Sequence, residues 1–275
     1  MEDSVRYPCG LNGRDVVGAG ITGIVARLDA VIKFVDSSKR LKHEMIERER
    51  RVYQRLGSEY QGVLRYFGTL DDALILQYAA NGSIRQYFAG QASPAPLPLR
   101  IRWIHQITTS IVFIHSKNVM HGDISCNNVF LDEELNAKLG DFGGSPIDDE
   151  LPLVCYETSH ELPNQERASD KSEIFALGST FYEIMTGSKP YKGLSDQAIG
   201  DKYSQGNFPS VTSLPAFKDI IAQCWDQNYT SVDELLRDVQ TEGIYFINFI
   251  YQQLMISSCY QIQARPSRLV DLGPL

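Results

Sequence analysis

The sequence predicts an α+β chain: a strand-rich first part of about 78 residues, then a mainly helical remainder. Three observations predict this. Up to Tyr78, short runs rich in β-branched residues are punctuated by Gly and Asp. One charge-dense stretch among them has helical spacing. After Tyr78, apolar residues recur three and four apart.

Val16 to Val17 and Ile24 to Leu28 flank Gly18, Gly20 and Gly23 and read as a hairpin. Ala30 to Val35 is a further short strand, separated from the one before by a tight turn around Asp29. From Leu41 to Leu56 the charges are dense while Ile46, Tyr53 and Leu56 recur at helical spacing, an amphipathic helix. Val63 to Phe67 and Ala73 to Tyr78 read as a second hairpin around Asp71 and Asp72.

Ala79 to Ser83 then opens a helix, with Asn81 or Ser83 as its cap. Three prolines between Ser93 and Pro98 mark a loop, and Trp103, Ile104, Ile107, Ile111 and Ile114 mark one face of a long helix. His121 to Leu139 reads as two short strands with a loop. Gly143 to Pro163, rich in Pro, Ser and acids, reads as a mobile loop. Ile174 to Met185 is apolar around most of its circumference, the pattern of a helix buried at the centre of a lobe, and Thr186 to Pro190 ends it. Phe217 to Trp225 is another helix, and Val232, Leu235, Leu236 and Val239 mark one more. The aromatic stretch from Ile244 fits helix and strand equally. The expected division is residues 1–78, 79–242 and an extension over 243–275 of unknown role.

With 275 residues, 43% hydrophobic and 22% charged, the chain can bury a normal core without disulfides or metals. A net charge of −8 argues against non-specific nucleic-acid binding, which needs a basic surface. The five cysteines are odd in number and none forms a CxxC pair, so they read as reduced thiols in a cytoplasmic or nuclear protein. Met1 to Ser4 is acidic without an apolar run, so no secretory signal is visible. Ile244 to Ile256 is too short and too polar to span a bilayer, so no membrane insertion is expected.

Glycines at 18, 20 and 23 allow backbone N–H groups to approach phosphate oxygens closely. The same string in a dinucleotide fold leads into a helix; here Ile24 to Leu28 favours strand. An ordinary Gly-rich turn is the plainer alternative. Lys33, within the apolar run Ala30 to Val35, is costly to bury unless it has partners; the alternative is a side chain snorkelling from an edge strand.

These pieces occur in a fixed order with three more: Glu49, the run His121-Gly122-Asp123-Ile124-Ser125-Cys126-Asn127-Asn128, and Asp141-Phe142-Gly143. In that order, over most of its length, the chain resembles the eukaryotic protein kinase superfamily, in particular a divergent fungal-type branch with this catalytic loop. Phe175 to Tyr191 is similar to the central helix of the family's large lobe, and Cys224-Trp225 to a later one. The resemblance implies a bilobal protein-kinase-like fold, a β-rich lobe with one helix above a helical lobe. It implies an ATP-dependent protein kinase that uses Mg2+ and transfers the γ-phosphoryl group to a protein hydroxyl, Ser/Thr ahead of Tyr on base rate.

By the same resemblance Asp123 takes the acceptor's proton, Asn128 and Asp141 hold the metal, and Lys33 pairs with Glu49. Glu44 and Glu47 are rivals, but only Glu49 has Tyr53 one turn on to pack inward. Val17, Gly18, Ala19, Gly20 and Gly23 would cover the phosphates. Val25, Val31 and Phe130 would sandwich the adenine, Leu76 would line the back of its pocket, and Gln77 to Ala79 would form the hinge. Tyr66, Tyr53, Phe142 and His121 would stack across the cleft.

The chain departs from the family in several places. Gly122 replaces an arginine that normally pairs with a phosphate on the activation loop, so loop phosphorylation should matter less. Ser125 replaces a lysine near the transferred group. His160-Glu161-Leu162-Pro163 is the nearest match to the usual Ala-Pro-Glu stretch, and the arginine expected after Cys224-Trp225 is missing too. Losing both members of that buried pair harms less than losing one. Glu173 stands where an aspartate normally braces the catalytic loop, and its extra methylene could still reach. Two alternatives stay open: a catalytically weak pseudokinase serving as a binding module, and a small-molecule kinase of the aminoglycoside or choline type. Ser145, Tyr156, Thr158 and Ser159 are candidate modification sites, each with the plainer reading of an inert loop residue.

Overall fold

The structure is a computed structural model that describes residues 15–20, 23–35, 39–91, 95–165 and 167–246. Ile21 and Thr22 of the glycine run, Cys9, Cys259 and residues 247–275 lie outside the described residues.

The first part is β-rich with one helix. β1 (Val16–Gly20) and β2 (Gly23–Ala26) form an antiparallel hairpin in which Gly18 faces Val25 and Gly20 faces Gly23. β3 (Ala30–Lys33), β4 (Tyr66–Leu70) and β5 (Ala73–Gln77) form a second antiparallel sheet in the order β3-β5-β4. Between β3 and β4 runs α1 (Arg40–Leu56). Most of its charges stay outward, Arg48 and Glu49 excepted, while Val52, Tyr53 and Leu56 enter the core; each such apolar side chain contributes about 1.5–3 kcal/mol on burial.

The expected strand Val63 to Phe67 is corrected. The ladder starts only at Tyr66, because Val63 and Leu64 are drawn into the junction with the helical part. Leu64 N–H donates to Leu139 O, and Leu139 N–H to Gly62 O, both at 2.8 Å.

The second part is helical. α2 (Ile84–Gly90) starts at Ser83, whose hydroxyl and Gln86 form a reciprocal capping box. Asn81, the other candidate cap, instead donates to Asp132 O at 2.7 Å. α3 (Leu97–His115) begins inside the proline stretch read as loop: Pro98 sits in the first turn, where its missing N–H costs nothing. β6 (Val129–Leu131) and β7 (Ala137–Leu139) form a short hairpin beneath the junction. α4 (Asp170–Thr186) is buried on nearly all sides and ends at Gly187 with φ +76°, a left-handed C-cap. α5 (Asp196–Ser204) was not foreseen; only Ile199 and Tyr203 of it are buried, too few for a clear period. α6 (Lys218–Trp225) follows, and a last helix, α7, runs from 232 to 246, through position 243. One continuous apolar core runs through both parts.

The segment read as a mobile loop, Gly143 to Pro163, is packed instead. Residues 142–147 are buried, Ile147 bridges to Val119, and Thr158–His160 forms a 3-10 turn. Apolar contacts over Phe142 and Ile147 outweigh the loop-like composition.

Candidate active site

Lys33 leaves the end of β3 and meets two carboxylates far apart in the chain. Its Nζ lies 2.6 Å from Glu49 Oε2 on α1 and 2.7 Å from Asp141 Oδ1 beyond β7. Burial works against the ammonium, but Glu49 and Asp141 outweigh it and hold its pKa above the ordinary value. Glu49 is fully buried, and burial pushes its carboxyl up against the pull of Lys33. Asp141 adopts φ +62°, a left-handed conformation that Asp tolerates better than most residues.

Asn128 joins the catalytic-loop residues to this group. Its Nδ2 donates to the backbone oxygen and to Oδ2 of Asp123, both at 2.8 Å. Its own backbone oxygen accepts from Gly140 N–H at 3.1 Å, one residue before Asp141. Burial pushes Asp123 up to about 7, while the Asn128 amide pulls the other way. The Oδ1 of Asp123 is buried and takes no hydrogen bond among the described residues.

The aromatic chain forms as expected. Tyr66 stacks on Tyr53 with centroids 5.7 Å apart, Tyr53 meets the edge of Phe142 at 5.3 Å, and Phe142 lies 5.0 Å from His121. It ties β4 and α1 to the catalytic loop. Val31 faces Leu76 across the β3–β5 ladder and shares a face with Lys33 two residues on. Phe130 is placed beside the turn after β5 by its bridge to Ser83. Val17, Val25 and Val31 are exposed, an apolar surface left uncovered, whereas Leu76 is buried. Gln77 is taken up inside the sheet: its N–H donates to Arg65 O at 2.8 Å. Ala79 O closes a turn with Gly82 N–H.

Val17, Gly18, Ala19, Gly20, Gly23 and Val25 all lie on the β1–β2 hairpin, which shares no ladder with β3 among the described residues. A Cβ added at Gly20 or Gly23 would meet no protein atom within 4 Å. Packing of the protein therefore gives no reason for glycine there.

Glu173, expected as a brace, holds the site together with residues that the sequence did not single out, among them His115, Arg85, Glu183 and Lys171. Glu173, fully buried on α4, accepts from Gly122 N–H at 2.8 Å and from Tyr156 OH at 3.1 Å, and lies 2.8 Å from His115 Nε2. The longer side chain does reach. Gly122 has φ +77°, so only glycine holds this backbone without strain. Arg85 on α2 grips Glu183 on α4 through Nε and Nη2, both at 2.8 Å, and also meets Glu157. Burial pushes His160, beside Glu183, down to about 3, so its ring is neutral. Where the sequence lacks the expected Glu–Arg pair, Lys171 Nζ donates to Gln227 O at 2.7 Å and Tyr229 O at 3.1 Å, joining the start of α4 to the end of α6. None of these contacts has a local sequence signal, since their partners lie between 17 and 98 positions apart.

As a metal site the pair Asn128 and Asp141 offers one amide oxygen and one carboxylate, donors that suit a hard cation. The Asn128 amide nitrogen is turned onto Asp123, and its oxygen takes only a long hydrogen bond, 3.5 Å from Asn127 Nδ2. Among the described residues no group of three or more His, Cys, Asp or Glu is placed to hold a metal ion.

Comparison with known proteins finds protein kinases. The chain is 25% identical over 226 residues to a dual specificity protein kinase of Dictyostelium discoideum, covering 76% of this chain and 17% of that protein. It is 29% identical over 184 residues to a CBL-interacting protein kinase of Oryza sativa subsp. japonica, covering 59% and 35%. It is 26% identical over 250 residues to a receptor-interacting serine/threonine-protein kinase of Rattus norvegicus, covering 76% and 50%. The chain thus spans half or less of the length of these relatives. The family described as protein tyrosine and serine/threonine kinase matches residues 16–234, and the chain belongs to that family.

Proposed function

We propose that this chain is an ATP-dependent protein kinase that transfers the γ-phosphoryl group of ATP to a protein hydroxyl, serine or threonine ahead of tyrosine. One observation carries the reading: Lys33 stands between Glu49 and Asp141 while Asn128 holds Asp123 on the same side of the junction. Lys33 would meet nucleotide phosphates with its charge intact. The uncovered glycines of the β1–β2 hairpin would lie over those phosphates, and the exposed Val17, Val25 and Val31 would cover the base. Asn128 and Asp141 would hold magnesium, which supplies positive charge against the phosphates.

Asp123 would orient the acceptor hydroxyl and take its proton through the unpartnered Oδ1. A carboxyl pushed up to about 7 is a stronger base than an ordinary carboxylate, and about half of it is ionised at neutral pH. The intracellular setting is supported by Cys126, Cys155 and Cys224, which are all free thiols. No helix among the described residues is long and apolar enough to cross a membrane.

The test is transfer of labelled γ-phosphate from ATP to a generic basic protein, with and without magnesium, for the chain and its Asp123→Asn variant. Transfer that needs magnesium and falls about 10²–10⁴-fold in the variant supports the reading. Equal transfer by both proteins overturns it.

A further inference from the structure

α1 carries three arginines, Arg48, Arg51 and Arg55, on the side that faces the segment after Asp141. That segment carries Asp148, Asp149 and Glu150 in succession. Arg48 is buried, which is unusual for a guanidinium. Its Nη1 donates to Ser145 O at 3.1 Å and to Leu151 O at 3.2 Å, and its Nε lies 3.1 Å from Glu150 Oε2. Arg51 donates to the other oxygen, Glu150 Oε1, at 2.7 Å. Arg55 holds both oxygens of Asp148, at 3.1 and 3.0 Å, in a bidentate pair. Met45, on the same helix, packs against Gly143, where an added Cβ would come within 3.5 Å of it.

Arg48 and Glu49 are adjacent on α1, about 100° apart around its axis. One meets residues 145–151, the other Lys33. A rotation or shift of the helix that frees one also moves the other. Hydroxyls that could bring in a phosphate are meanwhile engaged. Ser145 is buried and donates to His121 O at 2.6 Å; Ser159 is buried against His160; Tyr156 donates to Glu173. Thr158 is the one hydroxyl of residues 141–163 left partly accessible without a hydrogen bond above, and it lies eight positions beyond Glu150.

We propose that Asp148 and Glu150, gripped by Arg48, Arg51 and Arg55, supply permanently the negative charge that sets α1, so that Glu49 meets Lys33 without phosphorylation of this segment. Arg48 is then a positioning residue, acting through Glu49. The inference rests on the kinase reading for its activity arm only; the clasp itself is a matter of structure.

The experiment uses the full chain. It is first treated with a broad-specificity phosphatase, shown by intact mass to carry no phosphate, and assayed with ATP and the basic protein. Turnover within about twofold of the untreated chain supports the proposal, and a loss of about tenfold or more overturns it. Arg48→Ala, Arg48→Lys and Glu150→Gln are then compared by kcat, KM, melting temperature and hydrogen exchange over 145–151. The expected result is a kcat about tenfold or more lower in Arg48→Ala, with KM for the protein acceptor within about twofold, faster exchange over 145–151, and partial recovery in Arg48→Lys. Lower melting temperature with kcat unchanged marks a structural residue only and overturns the proposal, as does unchanged exchange. Glu150→Gln sits nearer the surface and gives the same readout should Arg48→Ala fail to fold. If the unaltered chain transfers no phosphate at all, the kinase reading falls, and hydrogen exchange alone decides whether the clasp stands.

Discussion

The backbone N–H of Gly122 donates to Oε1 of Glu173 across 51 positions of sequence, at 2.8 Å. The other carboxylate oxygen of Glu173 lies 2.8 Å from His115 Nε2, so one buried carboxylate ties α3, α4 and the catalytic loop together. Removing it would leave the buried Gly122 N–H without its partner and the half-buried His115 with Asp170 alone. Glu173→Ala is expected to cost about 3–5 kcal/mol, the usual penalty for breaking a buried charged pair. Glu173→Gln, which keeps one acceptor oxygen, should cost less. Urea unfolding of both variants checks the order, and Ala tolerated as well as Gln would show that the brace is dispensable.

The same contact sets a dependence on pH. Burial opposes a charge on His115, but Glu173 and Asp170 outweigh it, with Asp233 adding to them, and raise it above its ordinary 6.5. Burial likewise opposes the charge on Glu173, but His115, helped by the Gly122 N–H, holds it below 4.5. A raised histidine stabilises the fold fully below its unfolded value, and that share disappears as pH rises through the folded value. A depressed glutamate stabilises the fold above its unfolded value, and that share disappears as pH falls through the folded one. Stability from this pair should therefore be full between about pH 4.5 and 6.5 and decline on the alkaline side. Melting temperatures taken from that range up through the alkaline side of about pH 6.5 should show the decline, and His115→Gln should flatten it; a variant with an unchanged profile would remove the pair as its source.

Gly122 also answers the question of the missing arginine. At φ +77° any side chain is strained, and a Cβ there would sit 3.4 Å from Pro146 Cδ. Gly122→Arg, which puts back the family's residue, is expected to lower stability by about 1–3 kcal/mol and not to raise turnover. A stable and faster variant would contradict this.

Arg85 and Glu183 form a bidentate pair whose glutamate is buried. Arg85→Ala leaves that carboxylate unpaired, for an expected cost of about 3 kcal/mol, the low end for a pair whose arginine is partly open to water. For a chain of this size that lowers the melting temperature by about 6–12 °C. The double variant Arg85→Leu with Glu183→Leu should recover part of the loss, because the buried Glu183 carboxylate is gone and Glu157 keeps Lys189. Calorimetric melting of the three proteins decides it.

Local chemistry in the sequence determined the alternation of strand and helix, the amphipathic α1 and a helix cap at Asn81 or Ser83. Each follows from side-chain period or from residue type at short spacing. Even the pairing of Lys33 with Glu49 and the aromatic chain from Tyr66 to His121 could be expected, once the ordered motifs pointed to a family. Only the tertiary structure decided where Val63 and Leu64 belong, that residues 142–147 are buried, that Arg48 is sunk against 145–151, and that Glu173 reaches Gly122. The reason is physical: periodicity records which face of an element is apolar, whereas a buried ion or a bridge between distant strands depends on which faces meet, and no short stretch of residues carries that information.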